Sequence, residues 1–191
     1  GKIKGSKWIK RETRPSDEAI LSARMIDRTI RPRFDHRTRN EVQIVVTVLS
    51  FDGQNDPDMV GLFGASTALS LSNLPFNGPV AGIRVGRVDN TLITAPTYSE
   101  RTAGDFDIAI GATSEKINML EVGAKIVYEA DIVSGVSHGM DEIQKLIKFQ
   151  QEILKDFKVE KKELKLAEED PAIAKLVSEF AGPKLEKGLY T

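Results

Sequence analysis

The sequence predicts a mixed α/β (α+β) fold, and three observations carry this prediction. Helical apolar spacing occurs on both sides of a run that is typical of a buried strand. Short β-rich runs bounded by turn residues fill the middle third, and a long helical pattern follows from about Tyr128. The chain has 191 residues, 40% of them hydrophobic, which is enough for one large domain or two small ones.

The first predicted helix covers residues 16–31. Ser16 suits the N-cap position, acidic residues follow in the first turn, and Pro32 ends the segment. One side of this helix carries an apolar stripe, formed by Ala19, Ala23, Ile26 and Ile30. We therefore expect a short helix that packs one face against the rest of the molecule.

A buried strand and a second helix are predicted next. Residues 41–50 read EVQIVVTVLS, with alternate apolar residues on one face: Val42, Ile44, Val46 and Val48. A loop rich in Gly, Asn, Asp and Pro follows. Residues 58–72 are apolar nearly all round and include small residues that allow close packing, namely Gly61, Gly64, Ala65, Ser66 and Ala68.

The rest of the chain is predicted to be β-rich and then helical. The β-rich runs are PVAGIRVGRVD, TLITAP, DFDIAIGAT and INMLEVGAK. The helical pattern after Tyr128 has five candidates for burial, which are Ile132, Val136, Ile143, Ile147 and Ile153. Residues 158–169 form a charged linker, and a last helix is expected with Asp170 as its cap and Pro171 at its first position.

Three arginines of the first predicted helix are candidates for anion binding. Arg24, Arg28 and Arg31 lie at i, i+4 and i+7, and at about 100° per residue they share an arc of about 60°. The planar, forked guanidinium group suits phosphate. The same helix therefore packs with one side and presents three cations on another.

Charge is distributed unevenly between the two parts of the chain. Residues 1–40 have a net charge of +7 and the remaining residues a net charge of −8, so the overall −1 hides a strong asymmetry. The basic set runs from Lys7 through the helix to Arg39. This asymmetry favours a polyanionic partner at the basic end. The alternative is a solvated surface whose arginines form ordinary ion pairs.

Composition excludes several classes of site. The sequence has no cysteine, so disulfides and cysteine metal sites are excluded. His36 and His138 lie far apart, and no metal-ligand spacing occurs. No apolar run is close to the length of a membrane-spanning helix, about 18 residues. The first residues do not resemble a secretory signal. Because the sequence starts at Gly1 rather than Met, we expect the natural chain to begin earlier.

Several unusual strings occur in a fixed order along the chain. They are RPSD, LSARMIDRTIRP, NEVQ, NDPD, GASTALSLS, PFNGP and RVG. This series resembles the first ribonuclease PH-like core of the polynucleotide phosphorylase family, and the resemblance continues more loosely through residues 105–156. Residues 158–191 resemble the start of the family's all-helical domain.

The resemblance implies a fold and a domain division. A ribonuclease PH-like core consists of a half like domain 2 of ribosomal protein S5 and a C-terminal ribonuclease PH half. Residues 1–75 would be the C-terminal part of the first half, residues 76–157 the second half, and residues 158–191 a linker and the start of the helical domain. The first strands of the core, a second core and the KH and OB-type RNA-binding domains would lie outside this sequence.

The resemblance also implies an activity. The family shortens single-stranded RNA from its 3′ end with inorganic phosphate, releases nucleoside diphosphates, and can run in reverse. It implies a trimeric ring, a role in mRNA catabolism with other RNA-degradation proteins as possible partners, a cytoplasmic location and no membrane. The family's Mg²⁺ would be held by the second core, outside this chain.

At the family's catalytic positions this sequence differs from an active core. The phosphate-binding loop, which carries hydroxyl groups in active cores, reads Asn55-Asp56-Pro57-Asp58, and its carboxylates would repel phosphate. The positions of two aspartates and a lysine around magnesium read Arg101, Asp107 and Ala109. We therefore expect no catalytic residue and no metal site here. Asp105 and Asp107 could be mistaken for a metal pair, but no other ligand is evident.

What remains is RNA handling. The string Trp8-Ile9-Lys10-Arg11 matches the family's aromatic-basic loop at the channel neck, with Ile9 in place of a second aromatic residue. Trp8 could stack on a base, and the basic pair could contact phosphates. Trp8 could instead be a core or interface aromatic residue, and Arg84 either faces the ring interior or forms a buried pair with a carboxylate. The predicted RNA-binding residues are Trp8, Lys10, Arg11, Arg14, Arg24, Arg28, Arg31 and Arg84.

Two functions remain open at this point. The chain is either the non-catalytic, RNA-guiding and ring-forming first core of a phosphorolytic exoribonuclease or part of a non-enzymatic scaffold subunit of an exosome-like ring. A second core with the aspartate pair and lysine beyond Thr191 would favour the enzyme. Because the resemblance places the first strands before Gly1, we also expect Val46, Leu49 and Phe63 to lack part of their cover.

Overall fold

The computed structural model describes residues 15–168 and 170–189, which fall into two compact units. The first unit comprises Gly1–Phe34 and Gln43–Glu163, and the second comprises Asp35–Val42 and Leu164–Thr191. Helices and strands are both present in the first unit, as the mixed-fold prediction requires. Among the described residues, none of the helices combines the length and apolar character needed to cross a membrane.

The predicted first helix is confirmed. Helix α1 spans Asp17–Ile30, the Ser16 hydroxyl accepts a hydrogen bond from the backbone N–H of Ala19, and a 3₁₀ turn, Arg31–Arg33, follows. The predicted apolar stripe is partly wrong, because Ala19 and Ala23 are exposed. The residues that α1 buries are instead Met25, Thr29 and Ile30.

Thr29 is one of the residues through which α1 packs against the sheet. Its side chain lies against Gly111, where any larger residue would place a Cβ in contact with the threonine hydroxyl. The Asn118 side-chain amide donates to the Thr29 carbonyl oxygen at 3.2 Å. Thr29 is therefore as much a packing residue as the neighbouring apolar side chains, although it breaks the apolar pattern.

The strand predicted at residues 41–50 is wrong. These residues form no regular secondary structure and exchange no backbone hydrogen bonds with the described parts of the chain. The reason is that a strand forms only with a neighbouring strand, and none of the described strands pairs with this segment. Val46 is 45% exposed and Leu49 93% exposed, which agrees with the expected lack of cover.

Helix α2 confirms the second predicted helix and spans Asp58–Leu71. Its buried face, including Leu62 and Leu69, packs in one cluster with Ile30 of α1 and with Val80. The opposite side borders an apolar groove of about 730 Å³ that residues 44–51 line on its other side. Phe63 differs from the expectation, because it is half-buried and stacks on Phe149 with ring centroids 5.9 Å apart.

The β-rich middle third is a four-stranded antiparallel sheet in the order β2-β1-β3-β4. The four strands are β1 Ala81–Val88, β2 Thr91–Thr94, β3 Phe106–Ala112 and β4 Ile117–Ala124. The positive φ angles of Asp89 and Asn90, 49° and 61°, fit the two-residue turn between β1 and β2. A short helix, α3 Tyr98–Ala103, connects β2 to β3 and was not predicted.

Helix α4, Glu129–Lys155, confirms the long helical pattern and covers the sheet. Ile143 and Ile147 lie in the main core with the buried side chains of β1 and β3, while Ile132 and Val136 are partly buried at its edge. Gly139 faces Ile110 and Val85 of the sheet so closely that a Cβ would contact both. The close approach of α4 to the sheet therefore leaves no room for a side chain at this position.

The second unit contains the predicted last helix. Helix α5 spans Pro171–Leu189, and the Asp170 carboxylate accepts a hydrogen bond from the backbone N–H of Ala172 at 2.9 Å. A single β-bridge joins Thr38 to Leu166 within this unit.

Candidate functional site

Five charged residues, which we call the ion-pair cluster, meet at one point of the sheet. They are Asp56, Asp58, Arg84, Arg101 and Asp107. Asp58 opens α2 and Asp56 precedes it, Arg84 lies in β1, Arg101 in α3 and Asp107 in β3. The register of β1 and β3 places Arg84 opposite Ala109, two residues from Asp107, so both charged side chains lie on the same face.

Arg84 is the centre of the ion-pair cluster. Its Nη2 lies 2.7 Å from Oδ2 of Asp58 and 3.6 Å from Oδ2 of Asp56, and its Nη1 donates to Oδ2 of Asp107 at 3.1 Å. Arg101 closes the arrangement, since its Nε donates to Asp107 at 2.9 Å and its Nη1 to Asp56 at 3.0 Å. Two guanidinium groups thus bridge three carboxylates, and the five residues come from four parts of the fold, the start of α2, β1, α3 and β3.

Burial gives the ion-pair cluster its electrostatic character. The Asp58 side chain is only 4% exposed. Burial raises the pKa of the Asp58 carboxyl above its usual range, although Arg84 opposes this shift. Burial alone would lower the pKa of Arg84, but Asp58 and Asp107 together raise it, so the guanidinium stays charged. Asp58 Oδ1, Asp107 Oδ1 and Arg84 Nε make no hydrogen bond to the described residues.

Asp105 and Asp107 belong to different ion-pair networks. Asp105 lies just before β3 and accepts hydrogen bonds from Arg87 at 2.8 and 3.1 Å, while Asp131 of α4 binds the same guanidinium at 3.0 Å. Arg87 lowers the pKa of the Asp105 carboxyl. Within residues 15–168 and 170–189, no group of three His or acidic side chains has an arrangement that could hold a metal ion.

The predicted arginine face of α1 is present, but its members are not equivalent. Arg28 binds Glu121 of β4, and Arg31 binds Asp27 of its own helix through a fork at 2.7 and 2.8 Å. Asp27 raises the pKa of Arg31. Arg24 is exposed, and none of the described carboxylates lies within ion-pair distance of it.

Of the other predicted RNA-binding residues, the structure describes Arg84. Trp8, Lys10, Arg11 and Arg14 fall outside the described residues. Arg84 forms the buried pairs with carboxylates that the sequence left as one of two interpretations, and its side chain is 13% exposed. Its guanidinium is therefore bound by internal carboxylates, whereas Arg24 is exposed.

Sequence reasoning missed the partner of Arg28 and the ion pairs of Arg87. Glu121 was not singled out, because a lone acidic residue in a β-rich run gives no signal for a partner on a distant helix. The hydrogen-bond network of Arg87, which joins the sheet to α4, was also missed. The alternation of β1 could have placed Arg87 on a defined face, but its partners depend on how α4 crosses the sheet.

Comparison with known proteins decides the family. Models of the 3′ exoribonuclease family match two consecutive stretches, domain 1 over residues 2–75 and domain 2 over residues 78–147. The chain belongs to the 3′ exoribonuclease family. This confirms the resemblance that the motifs of the first core indicated.

Individual relatives of this family match nearly the whole chain. The polyribonucleotide nucleotidyltransferase of Heliobacterium modesticaldum is 43% identical over 99% of this chain and 26% of that protein. That of Bacillus subtilis is 42% identical over 99% of this chain and 27% of that protein, and that of Thermotoga petrophila is 50% identical over 84% of this chain and 23% of that protein. The chain spans about a quarter of the length of these relatives.

A solved structure was also matched. The crystal structure of rice (Oryza sativa) Rrp46 is 13% identical with a TM-score of 0.47, covering 53% of this chain and 48% of that chain.

By the family resemblance, phosphate and magnesium in an active core would lie at the positions of the ion-pair cluster, and the residues present do not fit either group. Oδ2 of Asp107 already accepts hydrogen bonds from Arg84 and Arg101, and Ala109 offers no ligand. Asp56 and Asp58 stand where a phosphate dianion would need hydrogen-bond donors. The guanidinium groups are satisfied by the chain's own carboxylates instead.

Proposed function

We propose that this chain is the non-catalytic, RNA-guiding and ring-forming first core of a phosphorolytic 3′-to-5′ exoribonuclease. The ion-pair cluster carries this proposal, because its internal salt bridges take the positions that phosphate and metal would need. The exposed arginine face of α1 supports the RNA-guiding role. The similarity to polyribonucleotide nucleotidyltransferases supports the activity of the whole protein.

The proposal covers further properties of the whole protein. A second core outside this sequence would hold Mg²⁺ and use inorganic phosphate to release nucleoside diphosphates from single-stranded RNA, as the family resemblance implies. Three copies would form a ring with a role in mRNA catabolism in the cytoplasm, alongside other RNA-degradation proteins. The division at about residues 75 and 157 into two core halves and the start of a helical domain is part of the same proposal.

An activity assay tests the non-catalytic role. Residues 1–191, incubated with single-stranded RNA, inorganic phosphate and Mg²⁺, are expected to release no nucleoside diphosphates. The intact natural protein assayed in parallel is the positive control. Release of nucleoside diphosphates by residues 1–191 alone would contradict the non-catalytic role, and no release by the intact protein would favour the scaffold alternative.

An RNA-binding titration tests the guiding role. In the intact natural protein, R24Q is expected to weaken binding of a single-stranded RNA. It should also reduce the salt slope, the dependence of log affinity on log salt concentration, by about one unit, because binding with one phosphate contact fewer releases fewer counterions. Lys148→Gln in α4 is the matched control, since it removes an exposed cation on another element. Equal affinities and slopes for R24Q and the control would contradict the guiding role of α1.

The same titration separates the two roles predicted for the segment before α1. Lys10→Ala and Arg11→Ala are expected to reduce both affinity and salt slope. Trp8→Ala should reduce affinity with little change in slope, because stacking on a base releases few counterions. An unchanged affinity of the Trp8→Ala protein would contradict the stacking role of Trp8.

A further inference from the structure

Glu121 connects the sheet to the arginine face of α1. The Arg28 guanidinium binds Oε1 of Glu121, and the two side chains are 49% and 47% exposed. The contact between α1 and β4 is held independently by the hydrogen bond from Asn118 to the Thr29 carbonyl. Glu121 is therefore placed beside Arg28 by the fold itself, whether or not the ion pair forms.

The three arginines of the face differ in what surrounds them. Arg31 is held by Asp27 four residues earlier on the same helix. Arg28 is drawn toward β4 by a carboxylate from another element, and Arg24 has no described carboxylate within ion-pair distance. The sequence indicates three equal cations on this face. Among the described residues, two of the guanidinium groups have a carboxylate partner and that of Arg24 does not.

We propose that Glu121 is a positioning residue that turns Arg28 toward β4 and lowers the affinity of the arginine face for the phosphates of RNA. This inference rests on the proposed RNA-guiding function of α1. An exposed ion pair is weak, so a phosphate can displace the carboxylate from the guanidinium. The displaced carboxylate stays close, however, and its charge repels the incoming phosphate. Arg24 is then the main phosphate contact of the face, and Arg28 a secondary one.

The charge of Glu121 can be removed while its size is kept. We would measure binding of a fluorescent single-stranded RNA by anisotropy across a NaCl series, with the intact natural protein and its E121Q variant. E121Q is expected to bind several-fold more tightly at low salt and to have a salt slope steeper by about one unit, because Arg28 becomes free to release a counterion. Glu115→Gln is the matched control, since Glu115 is exposed in the turn before β4 and the substitution removes the same charge as E121Q does.

A double variant shows whether the effect passes through Arg28. In an R28Q background, E121Q is expected to change affinity no more than Glu115→Gln does. The inference is overturned if E121Q and the control give the same affinity in the wild-type background, or if E121Q gives the same gain without Arg28. If neither R24Q nor R28Q affects RNA binding at all, the proposed function of α1 fails as well. Thermal unfolding midpoints matched between E121Q and the control exclude a change in folding as the cause.

Discussion

Arg84 illustrates at the scale of one residue how a buried charge depends on its partners. Its guanidinium replaces lost hydration with hydrogen bonds to Asp58 and Asp107 and a weaker contact with Asp56. Removing one member of such a pair leaves the other as an uncompensated buried charge, which costs more than the pair itself contributes. Arg84 is thus required mainly because Asp58 is buried.

Arg84→Met should therefore lower the free energy of unfolding by about 3–5 kcal/mol, because Asp58 would remain buried without its partner. Urea unfolding followed by circular dichroism measures this change. Arg31→Met on the exposed surface of α1 is the control and is expected to have little effect. A similar small effect of both substitutions would show that water replaces Arg84 in the ion-pair cluster.

Asp105 makes a pH-dependent contribution to stability of definite sign. Because Arg87 lowers its pKa in the folded state, the unfolded chain binds this proton first as the pH falls. The contribution is therefore present above the ordinary pKa of Asp and is lost as the pH falls through the lowered value. The stability difference between wild type and Asp105→Asn should be largest near neutral pH and shrink in acid.

Chemical denaturation at a series of pH values measures this difference. Asp89→Asn is the control, since Asp89 lies in the exposed turn between β1 and β2 at a positive φ angle that Asn also adopts. If the two variants follow the same pH profile, the pair of Arg87 and Asp105 does not contribute.

The sequence shows that Arg84 needs a partner but does not show which residues are its partners. A charged residue within an apolar strand has to find a partner, and that much follows from chemistry alone. Its partners lie 26 and 23 residues away, on elements whose meeting depends on strand register and on the position of α2. The ion pair of Arg28 with Glu121, which lie 93 residues apart, could not be predicted from the sequence for the same reason.

At the scale of elements, the sequence predicts those features that depend on residues close together along the chain. The caps of α1 and α5 were predictable because one side chain satisfies a backbone group a few residues away. Helix α3 carried the same kind of signal, a capping box of Thr97 and Glu100, which could have revealed it. Residues 41–50 have the composition of a strand, but a strand also needs a neighbour, which composition does not supply.

Two glycines in helices should respond oppositely to substitution by alanine. At Gly139 a Cβ would contact Ile110 and approach Val85 to 3.1 Å, so α4 would have to move, and we expect a loss of about 1–3 kcal/mol. At Gly64 in α2 no atom of the described residues lies within 4 Å of the added Cβ, so Gly64→Ala should gain about 0.5–1 kcal/mol from helix propensity. Urea unfolding of both variants tests the pair, and a loss of stability at both positions would contradict the packing argument.

At the scale of the whole molecule, the apolar groove between residues 44–51 and α2 governs how the isolated chain behaves. Val45, Leu49 and Phe51 are all more than half exposed beside it. Clustered apolar surface of this kind drives association. We therefore expect residues 1–191 on their own to be oligomeric or poorly soluble.

Introducing charge into the groove should reduce this association. Val45→Lys with Leu49→Lys is expected to lower the average mass measured by light scattering at a given concentration, because the groove would no longer be continuous and apolar. Val133→Lys, which charges a similarly exposed residue on α4, is the control and should have little effect. A stable, cooperatively folded monomer of unmodified residues 1–191 would contradict the prediction.

The close succession of the sheet and α4 along the chain has a consequence for how the molecule opens. Each strand pairs with a strand that is close along the chain, since only β2 and α3 lie between the partners β1 and β3. Helix α4, which covers the sheet, follows directly after β4. Residues 81–155 thus contain both sides of the main core and need no distant segment to complete it. The backbone amides of β1 and β3 should consequently exchange with deuterium more slowly than those of α5, whose large apolar side chains are exposed.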